Sequence, residues 1–140
     1  MLYLDTSILL AYYCPETFTH AVESLLARTA QPIISPLSEV EFASAVSRKV
    51  RMRELGRSDG GRIVSLFQRQ IIDGLYSMAP VEPRHFTLAR QWLEQFSAPL
   101  RTLDALHLAI SFSNDAKLVT ADRHLADSAK YLGVRCQRIE

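Results

Sequence analysis

The chain has 140 residues, enough for one domain with a sizeable core (residues 1–140). Hydrophobic residues make up 48% and charged residues 22%, which excludes a disordered chain, while the net charge of +1 by itself says nothing about partners. No stretch approaches the ~20 apolar residues of a membrane span, and the N-terminus lacks the basic start of a signal peptide. The expectation is a cytoplasmic protein without a membrane partner, in which Cys14 and Cys136 stay reduced.

Leu2-Tyr3-Leu4 reads as a short buried strand ending at Asp5. Thr6 or Ser7 is placed to cap a helix over Ile8 to Tyr13, which Pro15 ends. Phe18 to Arg28 is helical, Pro32 breaks it, and Ile33-Ile34 is a second strand. Ser35 caps and Pro36 opens a helix predicted to run to about Leu55, with Gly56 as its stop. Ser58 or Asp59 starts another helix, and Tyr76-Ser77-Met78 is a third strand. Pro83 opens a helix through Leu88, Trp92 and Phe96, and Thr102 caps the next, LDALHLAISFS. Lys117 to Thr120 is a fourth strand, ADRHLADSAKYLG a helix closed by Gly133, and Val134 to Ile139 a possible fifth strand. Strands alternating with helices predict an α/β fold, with a short central parallel sheet of four or five strands flanked by helices. Ligands of such sheets bind at the carboxyl ends of strands, where Asp5 and Asp122 are expected.

Four acids stand out. Asp5 has apolar residues on both sides, and burying a carboxylate is costly without a partner. Glu41 shares a helix side with Leu37, Val40 and Ala45, expected to face inward. Asp104 leads the apolar run ALHLAI, and Asp122 follows the fourth strand. Each also has a purely structural explanation. Asp5 suits an Asx turn or a cap, and Glu41 a capping box with Ser38. Asp104 suits the first turn of its helix, and Asp122 a cap.

The segments YLDTSILL, ISPLSEVEFASA, LRTLDALHLA and LVTADRHLADSAKYLGV settle between these readings. In order, spacing and chain length they resemble the PIN-domain nucleases. Within those, the match is to the small VapC-type toxins of toxin–antitoxin pairs. Leu55 to Trp92 matches only in helical character. The resemblance implies a metal-dependent endoribonuclease with an acidic site at Asp5, Glu41, Asp104 and Asp122. Asp5 and Asp104 are expected as direct Mg²⁺ or Mn²⁺ ligands, Glu41 as a ligand or water orienter, and Asp122 at a second ion or through water. Ser7 and Thr120 are expected to hold carboxylates or waters in place. Hard divalent cations take oxygen ligands, so no His or Cys is needed. On this reading a cation compensates the charge of Asp5. The resemblance also implies a homodimer and a cognate VapB-type antitoxin. Its substrate would be an RNA of the translation machinery, such as a transfer RNA or a ribosomal RNA loop.

The stretch SRKVRMRELGRSDGGR is basic. Arg48, Lys49, Arg51 and Arg53, with Arg101 beside Thr102, are candidates for RNA phosphates, although a basic helix face needs no function. His107 lies three residues after Asp104, where Asp-x-x-His can bind a metal. A packed helix residue with one hydrogen bond is the expectation for it, and His20, His85 and His124 look like surface positions. No Ser-His-Asp arrangement and no Gly-rich phosphate loop is present. Asp-Thr-Ser in place of Asp-x-Asp argues against a dehalogenase-type phosphatase. The competing reading is a PIN fold kept for RNA or protein binding without catalysis.

Overall fold

In the computed structural model, which describes residues 1–140, the apolar runs form one five-stranded sheet. Strand β1 (Leu2–Leu4) is central, flanked by β2 (Ile33–Ile34) and β4 (Lys117–Thr120). The edges are β3 (Ser77–Met78) and β5 (Cys136–Arg138), giving the order β3-β2-β1-β4-β5 with every pair parallel.

Parallel strands need crossovers, and helices supply them. Between β1 and β2 lie α1 (Thr6–Tyr13) and α2 (Thr19–Leu26). Between β2 and β3 lie α3 (Pro36–Arg51) and α4 (Arg57–Ile72). Next come α5 (Pro83–Leu93) and α6 (Thr102–Ser113), and α7 (Arg123–Tyr131) joins β4 to β5.

Successive strand residues point to opposite faces, so the short strands feed two cores. Tyr3, Ile33 and Leu118 pack against α5, α6 and α7 through Trp92, Leu106, Ile110 and Leu125. Leu4, Ile34 and Val119 pack against α1 to α4 through Ile8, Leu9, Phe42 and Phe67. No helix is long and apolar enough to cross a membrane.

The predicted elements are all present, and several ends differ. Helix α3 stops at Arg51 and not near Leu55, because Arg53 takes the left-handed conformation with φ 59°. Helix α5 stops at Leu93 and not at Phe96, whose φ is 57° for the same reason. Gly56 is the N-cap of α4, where Ser58 or Asp59 was expected, and Arg101 rather than Thr102 is the N-cap of α6. The inward face of α3 is Ser38, Phe42 and Val46, while Val40 is exposed, so Glu41 sits beside that face and not within it. His85 is buried, contrary to its expected surface position, because its Nδ1 accepts the backbone N–H of Glu82 at the start of α5. Cys14 and Cys136 are both free thiols.

The α3–α4 hairpin is fastened by aromatic packing. Phe67 is buried with its ring centroid 4.4 Å from Phe42 and 5.3 Å from Tyr13. Close approach of the helices is possible because Gly60 has no side chain: a Cβ there would stand 2.7 Å from Val50 Cγ2. Phe67→Ala is expected to destabilise the protein by about 3–5 kcal/mol. Urea unfolding should show this as a lower midpoint at unchanged slope.

Candidate active site

All strand carboxyl ends meet at one edge of a parallel sheet. From β1 the chain crosses to β2 on one side, while β4 lies on the other, so the strand order reverses between β1 and β4. Asp5 emerges from β1 at this point, and its N–H donates to Val119 O of β4 at 3.1 Å. Asp122 follows β4, Glu41 lies in the second turn of α3 after β2, and Asp104 is in the first turn of α6.

Asp5 is 5% exposed, and the protein itself supplies donors for it. Its Oδ1 accepts from Ser7 Oγ at 2.5 Å and Ile8 N at 3.2 Å, and its Oδ2 from Thr120 Oγ1 at 2.5 Å. The hydroxyls are oriented in turn, since Ser7 Oγ accepts from Ala121 N and Thr120 Oγ1 from Asp122 N, each at 2.9 Å. Three protein donors thus answer much of the charge of Asp5. They do not answer all of it. Burial pushes the Asp5 carboxyl above the usual carboxylate range despite the Ser7 and Thr120 bonds, the charge of His107 and the Ile8 N–H. Asp5 is also the N-cap of α1, as its structural explanation had it, in place of Thr6 or Ser7.

Glu41 takes no part in a capping box. Ser38 Oγ accepts the Ser35 N–H at 3.1 Å, which leaves Glu41 free to turn toward α6. Its Oε1 accepts from Thr6 Oγ1 at 3.0 Å and is also bonded by His107 Nε2. Burial raises the Glu41 carboxyl, but the His107 bond and charge and the Thr6 bond outweigh it and leave it below its usual value.

Asp122 caps α7, with Oδ1 accepting from His124 N at 2.7 Å and Leu125 N at 3.2 Å. Asp104 is half-buried, and its carboxyl is raised, first by burial and then by the charge of Asp122. Glu41 adds to the repulsion, and Arg101 and His107 oppose it. The structure thus brings the four acids to one end of the sheet, with Asp104 feeling both Asp122 and Glu41.

In donor chemistry the four acids suit a hard cation. One oxygen of Glu41 and one of Asp122 is fully engaged by the protein, leaving Glu41 Oε2 and Asp122 Oδ2 without protein donors. Asp5 Oδ2 has one donor and a second lone pair. As placed, no three His, Cys, Asp or Glu side chains are arranged to hold one ion. Ligation by three of them therefore requires a side chain to turn.

Four of the basic candidates lie apart from the acids. Arg48, Arg51 and Arg53 are exposed at the far end of α3, about 10–15 Å beyond Glu41 at 1.5 Å per residue for Arg48 and Arg51. Lys49 is occupied by Glu16 at 3.2 Å and Glu54 at 3.6 Å. Arg101 is exposed beside Asp104. Sequence reasoning undervalued His107, which is buried with both ring nitrogens bonded. Its i, i+3 spacing from Asp104 was the available signal.

The PIN domain family matches residues 2–131 of the chain. This protein is a member of the PIN domain family. No curated protein matches it in sequence. Solved structures share the PIN fold. The VapBC2 complex of Rickettsia felis bound to a promoter DNA fragment is 17% identical with a TM-score of 0.71, covering 100% of both chains. FitAcB of Neisseria gonorrhoeae is 15% identical with a TM-score of 0.74, covering 97% of this chain and 96% of that one. A Mycobacterium tuberculosis VapC toxin that cleaves the sarcin–ricin loop is 15% identical with a TM-score of 0.66, covering 84% and 85%.

The raised carboxyl of Asp104 has a stability consequence. A carboxyl raised by folding holds its proton more tightly folded than unfolded, so its charge destabilises the fold at neutral pH and the penalty fades as pH falls through the carboxylate range. The start of α6 favours a negative charge, a smaller effect of opposite sign. Asp104→Asn in EDTA is expected to raise the melting temperature at pH 7 by about 2 °C, with the gain vanishing on acidification.

Proposed function

We propose that this PIN domain is a metal-dependent endoribonuclease of the VapC type. The observation that carries the proposal is the meeting of Asp5, Glu41, Asp104 and Asp122 at the strand-order reversal, with Asp104 raised first by burial and then by the charges of Asp122 and Glu41. The similarity to an RNA-cleaving toxin and to toxin–antitoxin complexes supports it.

On this reading Asp5 Oδ2, Glu41 Oε2, Asp104 and Asp122 Oδ2 hold Mg²⁺ or Mn²⁺. When bound, such ions supply positive charge to the phosphoryl oxygens and acidify an attacking water. The protein's own work is to aim the carboxylates. Ser7 and Thr120 hold Asp5, and backbone N–H groups hold Asp122. Arg101 is placed to meet a phosphate near Asp104. With water as nucleophile the ribose 2′-OH is not needed, and the products carry 5′-phosphate and 3′-hydroxyl. The proposed substrate is a transfer RNA or a ribosomal RNA loop, and cleavage would stop translation.

The proposed partners are a VapB-type antitoxin and a second copy of the chain. Support for the second copy comes from exposed Phe86 and Phe96, which line an apolar cavity of about 490 Å³ between α5 and α6, and from exposed Phe112 on α6. A non-catalytic binding module is the second reading, and the engagement of Asp5 and Glu41 in protein hydrogen bonds favours it.

Asp5→Asn separates the two. Loss of RNA cleavage by at least about 100-fold is expected, with the circular dichroism spectrum kept, and Mn²⁺ is expected to raise the melting temperature of wild type and not of the variant. Mapping of 5′-phosphate RNA ends after brief expression reads the cleavage, and growth arrest that persists in Asp5→Asn would establish action by binding. Arg51→Ala with Arg53→Ala is expected to weaken RNA binding and lower its salt slope by about 1–2. Unchanged RNA binding with lost antitoxin binding would reassign that face to the antitoxin.

A further inference from the structure

We infer that His107 is a positioning residue for Glu41, locked in place by Tyr3. The inference rests on the reading of Glu41 as a metal ligand.

His107 is 2% exposed in α6, one turn after Asp104. Its Nε2 bonds Glu41 Oε1, and its Nδ1 lies 2.6 Å from Tyr3 Oη. Tyr3 is fully buried in β1, and its hydroxyl is also 2.9 Å from Ser35 Oγ, the N-cap of α3. The chain Ser35–Tyr3–His107–Glu41 therefore links α3, β1 and α6 and returns to α3.

The proton positions follow from the inventory of donors. An ionised carboxylate only accepts, so His107 Nε2 carries the hydrogen. Burial raises the Tyr3 hydroxyl, which keeps its proton. With neutral His107, Tyr3 donates to Nδ1 and Ser35 donates to Tyr3. With protonated His107, Nδ1 donates to Tyr3 and Tyr3 donates to Ser35. Every group is satisfied both ways, and Glu41 receives an N–H in both. The positioning role does not depend on titration.

The consequence falls on the other oxygen of Glu41. A glutamate side chain is long and flexible, and ordering it costs up to about 2 kcal/mol. Thr6 and His107 together occupy Oε1, which leaves Oε2 as the oxygen without a protein donor. Such holding partners commonly change metal affinity by about 10–100-fold. Tyr3 prevents the ring from turning away, and the i, i+3 spacing puts Asp104 and the holder of Glu41 on one face of one helix.

The test compares two substitutions of similar polarity. His107→Asn puts an amide near Nδ1, keeping a partner for Tyr3 and losing Glu41. His107→Gln puts an amide near Nε2, keeping the donor to Glu41. Mn²⁺ affinity is measured by titration calorimetry on both, on wild type and on Glu41→Gln, with melting in EDTA as the fold control. The expectation is about 10-fold or greater weakening for His107→Asn and Glu41→Gln, and affinity within about threefold of wild type for His107→Gln. A general packing role would lower the melting temperature of both His107 variants without separating their Mn²⁺ affinities. Equal affinities for His107→Asn and His107→Gln, beside a weakened Glu41→Gln, would overturn the inference alone. Wild-type affinity in Glu41→Gln would overturn the reading of Glu41 and this inference with it.

Discussion

The candidate site depends on how one buried carboxylate is held. Asp5 ends the central strand, caps the first helix and accepts from three protein groups. Two of the donors, Ser7 and Thr120, are themselves fixed by N–H groups of the β4–α7 turn. The carboxylate thus ties β1 to β4 at the position where the strand order reverses. An ionised group in such a place needs donors for its lone pairs. The donors do not fully meet it, so the same arrangement that closes the sheet end also keeps it electrostatically unsettled.

Anchoring and presentation are divided between the two oxygens of a carboxylate elsewhere in the site. Glu41 and Asp122 each commit one oxygen to the protein and leave the other without protein donors. Asp104 has no such division and carries the repulsion of its neighbours. The bland roles weighed from sequence and the chemical ones are therefore not alternatives. Asp5 and Asp122 are helix caps, and capping is what aims them.

The element order, the parallel sheet and the two-sided core were legible because apolar runs, Pro and Gly are placed consistently along the chain. Helix ends were less legible. Arg53 and Phe96 adopt left-handed conformations that residues of their type seldom announce. The acids were legible through local motifs and through the resemblance they carry. The identity of their partners was not. The pairing of Glu41 with His107, and of His107 with Tyr3, joins residues distant in sequence, and nothing local to Glu41 encodes it. For His85, burial follows from a backbone contact at the start of α5, which composition does not reveal.

Helix α6 carries Asp104 and His107 on the same face, and that has a cost for how the chain can change over time. One residue added or removed between them would swing His107 by about 100° around the axis. Length variation should therefore be purged from this single turn, while the loop after Leu26 and the segment after Leu93 remain open to insertion. An indel anywhere from Asp104 to His107 is thus expected to part the two side chains.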